Sequence, residues 1–140
     1  RELQLEGQVR FCEWMPREEL LAKMISCDVF LFPSLRDGGG AVVVEALAAG
    51  KPVVCLDIGG PALHVTDVCG IKVAPCSRDQ AIREMAEALE RLYLDKELRR
   101  RMGRAARDRA ERFYDWDRLG ERLMQIYQET VGAFKAESQR

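Results

Sequence analysis

The chain is poor in the residues that usually announce a catalytic or metal centre. It has a single histidine, His64, among 140 residues. Its five cysteines, at 12, 27, 55, 69 and 76, are odd in number and form no CxxC pair. A zinc site of ordinary ligand spacing is therefore not expected, nor is a disulfide framework. Cys27 and Cys55 lie inside apolar runs and read as small buried hydrophobes, which fits a reducing, cytoplasmic setting. No apolar run approaches the ~20 residues of a membrane span, and no signal peptide is visible. Net charge is −1, so the chain as a whole exerts no pull on nucleic acid, and none is expected as a partner. The opening Arg-Glu-Leu lacks an initiator Met, and leads us to expect a piece of a longer protein.

What is present is enough apolar material for one core, arranged in alternating short runs and helical patterns. Residues 8–11 (QVRF) read as a strand. Pro16 then opens a helix carrying Leu20, Leu21, Met24 and Ile25. Residues 28–33 (DVFLFP) form a nearly continuous apolar run, as a strand buried on both faces does. Three glycines follow, then a segment 41–49 closed by Gly50 as helix cap. Its Val42-Val43-Val44 favours strand by propensity. The Gly-rich start, the apolar length and the terminal Gly favour helix, and we read it so. Residues 52–56 (PVVCL) and 71–74 supply two more strands. Stretches 77–93, 95–113 and 115–134 read as helices, with Trp116 in the core and polar, frayed residues at 135–140. The fold class is thus α/β, a Rossmann-like parallel sheet of about four strands with a C-terminal helical extension, in a single and incomplete domain.

The chemistry concentrates in residues 32–60, FPSLRDGGGAVVVEALAAGKPVVCLDIGG. A Gly-rich turn between a buried strand and a helix lets backbone approach a ligand. The helix start offers unpaired N–H groups and the positive end of a dipole. At the C-terminal edge of a parallel sheet this makes an anion site, in which a phosphate gains roughly 0.3–2 kcal/mol from the dipole alone. Asp37 stands on the loop and Glu45 one turn inside the helix, with seven residues between them. Acids beside a phosphate make sense as acceptors for sugar hydroxyls. A bare glycine run, by contrast, is more often only a tight connection.

The combined pattern resembles the retaining glycosyltransferases of family 4 (group 1), of GT-B fold. The matching positions are Pro33-Ser34, Asp37, Gly38, Gly40, Glu45, Ala46, Ala48, Gly50, Pro52-Val53-Val54 and Gly59-Gly60. Residues 9–16 (VRFCEWMP) and Phe113-Tyr114-Asp115-Trp116 resemble the flanking segments. The resemblance implies a C-terminal donor-binding domain of a two-domain, hexosyl-transferring enzyme. Asp37 would hold hydroxyls of the transferred sugar and Glu45 the ribose. Backbone N–H groups around Gly40, Ala41 and Val42 would receive the distal phosphate, with Ser34, Gly38 and Gly39 among the other donor-binding residues. The 11–14 segment, with Trp14, would lie against the base. The donor would be a nucleotide diphosphate sugar, with no cofactor or metal required. The acceptor site would belong to an N-terminal domain, and this chain alone would be inactive.

Departures from the pattern are specific. The family usually carries Glu where this chain has Asp37, an aromatic where it has Gly39, and an acid near Leu63. Its phosphate-binding Arg and Lys would lie upstream. A nucleotide-sugar epimerase of GT-B fold and a non-catalytic, oligomerising Rossmann-like module remain open as alternatives, the latter as a homodimer. Residues 96–112 hold eight basic and three acidic residues. Such a helix is usually a solvated face; its functional rival is peripheral contact with an anionic membrane at the inner face.

Overall fold

The computed structural model describes residue 5 and residues 7–137. Its elements run α1 (Arg17–Ser26), β1 (Phe30–Phe32), α2 (Ala41–Ala48), β2 (Val53–Leu56), α3 (Gly59–His64), β3 (Gly70–Val73), α4 (Arg78–Leu94), α5 (Lys96–Phe113) and α6 (Trp116–Glu137). The strands form one parallel sheet in the order β1-β2-β3, with Phe30 opposite Val53 and Val53 opposite Gly70. This is the Rossmann-like α/β arrangement expected, with three strands among the described residues.

The central strand sorts the core into two layers because its side chains alternate. Val53 and Cys55 pack with Met24 of α1, Val43 and Leu47 of α2, and Ala106 and Ala110 of α5. Val54 and Leu56 face the other way, onto Met85, Ala88 and Leu92 of α4 and Met102 of α5. Burial of Val43, Ala46 and Leu47 explains why α2 is a helix despite three consecutive valines: tertiary packing outweighs a propensity difference of a few tenths of a kcal/mol per residue. The helix ends as expected. Gly50, at φ +69°, donates to the Leu47 carbonyl and Lys51 to that of Ala46, which is the Schellman arrangement.

Three helices are capped by side chains on the residue just before them. Ser77 Oγ accepts from the Gln80 amide, Asp95 from Leu98, and Asp115 from Asp117 and Arg118. Helices α2 and α5 cross closely. A Cβ on Gly103 would lie 2.5 Å from the Gly50 carbonyl oxygen, so only glycine fits that crossing.

Three expectations need correction. Residues 8–11 are not a strand. The amides of Gln8 and Val9 both turn back to the Leu5 carbonyl, Val9 and Phe11 are exposed, and the segment has no ladder partner among the described residues. Trp116 is 86% exposed rather than in the core, because it starts α6, a helix that packs only lightly, against α5. The short α3 was not anticipated: its Gly-Gly start and six residues show no helical period. Helix α6 continues to Glu137; the expected fraying at 138–140 lies outside the described residues.

Candidate functional site

Strand β1 ends at Phe32 and the chain then makes a tight loop to α2. Ser34 Oγ accepts a long 3.4 Å bond from the Arg36 amide, which shapes the first bend. Asp37 closes the second. Its Oδ1 accepts from the amides of Gly39 at 3.0 Å and Gly40 at 2.6 Å, an Asx turn. Oδ2 makes no hydrogen bond among the described residues. Gly40 sits at φ +64° as the N-cap of α2, and its carbonyl takes the amides of Val43 and Val44. That leaves the Ala41 and Val42 N–H groups without an acceptor among the described residues. Ala41 is exposed. The helix end is therefore open at Ala41 and Val42, at the C-terminal edge of the sheet, with the Asp37 carboxylate beside its positive end.

The loop is held from beneath by α3. The Gly60 amide donates to the Asp37 carbonyl at 3.1 Å. A Cβ on Gly59 would come within 2.4 Å of that same oxygen, and one on Gly60 within 2.6 Å of the Gly38 carbonyl oxygen. The Gly-Gly pair is thus demanded by backbone contact with the loop. Gly38 and Gly39 have open space where a Cβ would be; of the three loop glycines, packing constrains Gly40 alone.

His64 completes the support. Nε2 lies 2.7 Å from the Gly39 carbonyl oxygen and Nδ1 2.8 Å from the Tyr114 hydroxyl. A carbonyl only accepts, so Nε2 carries a proton and donates to Gly39, while Nδ1 shares a second hydrogen bond with the Tyr114 hydroxyl. The two rings meet edge to face at 5.1 Å. Arg109 caps the end of α3, donating to the His64 carbonyl at 2.7 Å and the Leu63 carbonyl at 3.2 Å. With both ring nitrogens engaged by protein, His64 acts as a fastener between loop and α5–α6 junction. No feature of the sequence paired it with a tyrosine fifty residues away.

Glu45 is half-buried one turn into α2. Its Oε1 receives Arg17 Nη2 of α1 at 2.6 Å, a contact that sequence reasoning missed. It also borders a shallow cavity of about 280 Å³ shared with Tyr114, Asp115 and Trp116. Asp37, Gly38, Gly39, Gly40, Ala41 and Val42 are brought together; Glu45 flanks them on the same helix. Trp14 is not brought in. It is 90% exposed on the segment before α1, and no hydrogen bond or ring contact ties it to the loop among the described residues. No group of three or more His, Cys, Asp or Glu is placed to hold a metal among those residues. No helix there is long and apolar enough to cross a membrane.

Comparison with known proteins places this loop in context. The model of the glycosyl transferases group 1 family matches residues 1–109. The chain belongs to that family. A D-inositol 3-phosphate glycosyltransferase of Corynebacterium aurimucosum is 36% identical over 132 residues, covering 94% of this chain and 30% of the relative. One from Saccharomonospora viridis is 33% identical over 134 residues, covering 96% and 30%. A solved sucrose-phosphate synthase from Thermosynechococcus elongatus superposes with a TM-score of 0.76 at 26% identity, over 91% of this chain and 31% of that one. The chain thus spans less than a third of the length of these relatives. Its parallel sheet with flanking helices is the Rossmann-like part expected of a GT-B glycosyltransferase.

Proposed function

We propose that this chain is the donor-binding domain of a retaining glycosyltransferase of family 4, taking a nucleotide diphosphate sugar. The observation that carries the reading is the open start of α2, with two free amides at Ala41 and Val42 between the carboxylates of Asp37 and Glu45. The diphosphate would sit on those amides. When the bond from the sugar's anomeric carbon to the phosphate oxygen breaks, negative charge gathers on the departing nucleoside diphosphate. Fixed N–H groups and the helix dipole stabilise that charge without having to reorganise. Asp37 Oδ2 is left to accept from hydroxyls of the transferred sugar, and Glu45 Oε2 from the ribose. Acceptor binding belongs to a further domain, which supplies the rest of the two-domain enzyme.

The test is calorimetric titration of the chain with nucleoside diphosphates, alongside Glu45→Gln. Loss of a charge-assisted hydrogen bond is worth about 1.5–3 kcal/mol, so affinity should fall at least about tenfold. An unchanged dissociation constant in Glu45→Gln would remove Glu45 from the site. Equal binding of inorganic phosphate and nucleoside diphosphate would remove the ribose contact.

A further inference from the structure

The opposite edge of the sheet carries a second concentration of charge that the donor reading leaves unused. A groove of about 610 Å³ opens between α5 and the turn that links α2 to β2, bordered by Asp28 just before β1. Six cations line it: Lys51, Lys96, Arg99, Arg100, Arg104 and Arg107. Asp28 is the only carboxylate in that lining. On α5, Lys96, Arg100 and Arg104 stand in one row at i, i+4 spacing, and in the next row Arg99 and Arg107 flank the buried Gly103. Like charges at that spacing destabilise a helix.

Three of the six cations have carboxylate partners. Arg99 pairs with Asp28 at 3.4 Å, Arg100 with Glu97 at 2.9 Å and Arg107 with Glu111 at 2.6 Å. Arg99 also donates to the Leu92 carbonyl and Arg107 to that of Ala48, which fixes both guanidinium groups as walls. Lys51, Lys96 and Arg104 have no ion pair or side-chain hydrogen bond among the described residues, and Lys51 is half-buried. We propose that this groove binds a compact, multiply charged phosphate, with Lys51, Lys96 and Arg104 as its principal contacts. A phosphomonoester brings about −1.5 to −2 at pH 7 and a diphosphate more, which matches three unpaired cations in a concave site. A flat anionic surface would meet the rim but not Lys51 at the base of the turn. The groove lies at the N-terminal ends of strands whose C-terminal ends lead to the glycine loop, roughly 10–13 Å away along the strands. The inference is independent of the donor site.

Because the donor reading also puts phosphate at the start of α2, the test must report position. The chain is titrated with inorganic pyrophosphate while backbone amide signals are followed by NMR. Saturable shifts at Gly50, Lys51 and Gly103 are expected, separable from any at Gly39–Val42. The triple variant Lys51→Gln/Lys96→Gln/Arg104→Gln should weaken the groove titration at least about tenfold and leave the loop signals as they were. Glu97→Gln/Glu111→Gln frees two arginines without touching the three contacts, and should tighten binding a few-fold. Shifts confined to the glycine loop overturn the proposal, as does groove affinity unchanged in either variant. Capture by phosphatidylserine vesicles without saturable pyrophosphate shifts also overturns it, in favour of a membrane surface.

Discussion

Replacing Gly40 by Ala should injure the loop far more than the same change one residue earlier. Gly40 is at φ +64°, where an L side chain costs about 1–2 kcal/mol. Its Cβ would stand 2.9 Å from His64 Cδ2, 3.0 Å from the Pro61 nitrogen and 3.2 Å from the Gly60 carbonyl carbon. Two of those three atoms are backbone and cannot swing aside, so overpacking adds about 1–3 kcal/mol. The sum is roughly 2–5 kcal/mol. Gly39 has nothing within 4 Å of its hypothetical Cβ and no positive φ, so Gly39→Ala should stay within about 0.5 kcal/mol of the parent. Urea unfolding followed by circular dichroism reads the difference. With a slope near 2 kcal/mol/M, the midpoint of Gly40→Ala should fall by about 1–2.5 M at unchanged slope. Pairing it with His64→Ala should restore little, because the Pro61 and Gly60 contacts and the φ penalty all persist. Equal midpoints for Gly39→Ala and Gly40→Ala would refute the claim that α3 wedges the loop in place.

The cysteines give two further checks. Under native conditions Cys12 and Cys76, which are exposed, should react quickly with a thiol reagent, half-buried Cys27 more slowly, and buried Cys55 and Cys69 only on unfolding; fast labelling of all five would contradict the core described here. Burial pushes the Cys55 thiol up to about 11 from an ordinary 9.0, against an opposing pull from Lys72. The folded chain thus holds this proton more tightly than the unfolded one. That contribution to stability is fully present below pH 9 and is lost as pH rises through 11, at a cost on the order of 2 kcal/mol. Denaturation midpoints from pH 8 to 11 should show the decline, and Cys55→Ala should flatten it; an identical slope in that variant would exclude Cys55 as its source.

Much of the architecture was legible because each element carries its own local signal. Continuous apolar runs marked β1 and β2, and Gly50 marked the end of α2 through a positive φ that glycine alone adopts freely. The capping residues Ser77, Asp95 and Asp115 sat at the predicted starts of α4, α5 and α6. What escaped the sequence was non-local. Residues 8–11 have strand composition, but strands exist only with a ladder partner, and the amides of Gln8 and Val9 turn to the Leu5 carbonyl instead. The Arg17–Glu45 pair spans 28 residues and the His64–Tyr114 bond 50; neither leaves a periodic trace. Gly59-Gly60 was legible as a motif and not as a cause, since the need for glycine arises from carbonyl oxygens of Asp37 and Gly38 that only folding brings near.

Asp37 and Gly39, where the resemblance leads us to expect Glu and an aromatic, are tied together by one set of main-chain hydrogen bonds. An aspartate reaches its own amides two and three residues on, as in the Asx turn seen here; a glutamate, one methylene longer, is poorly matched to that ring. Gly39 carries no side chain to pack the loop, but its carbonyl is gripped by His64 and its amide by Asp37. The loop is therefore ordered through main-chain hydrogen bonds, where an aromatic would order it through side-chain packing. Oδ1 of the one carboxylate is thus committed to shape, while Oδ2 makes no hydrogen bond among the described residues. Under the function proposed above, in which Oδ2 accepts from the sugar, loop order and ligand contact are coupled at Asp37. Any substitution that removes the second function while keeping the first must preserve an acceptor at Oδ1. Asparagine does so and alanine does not.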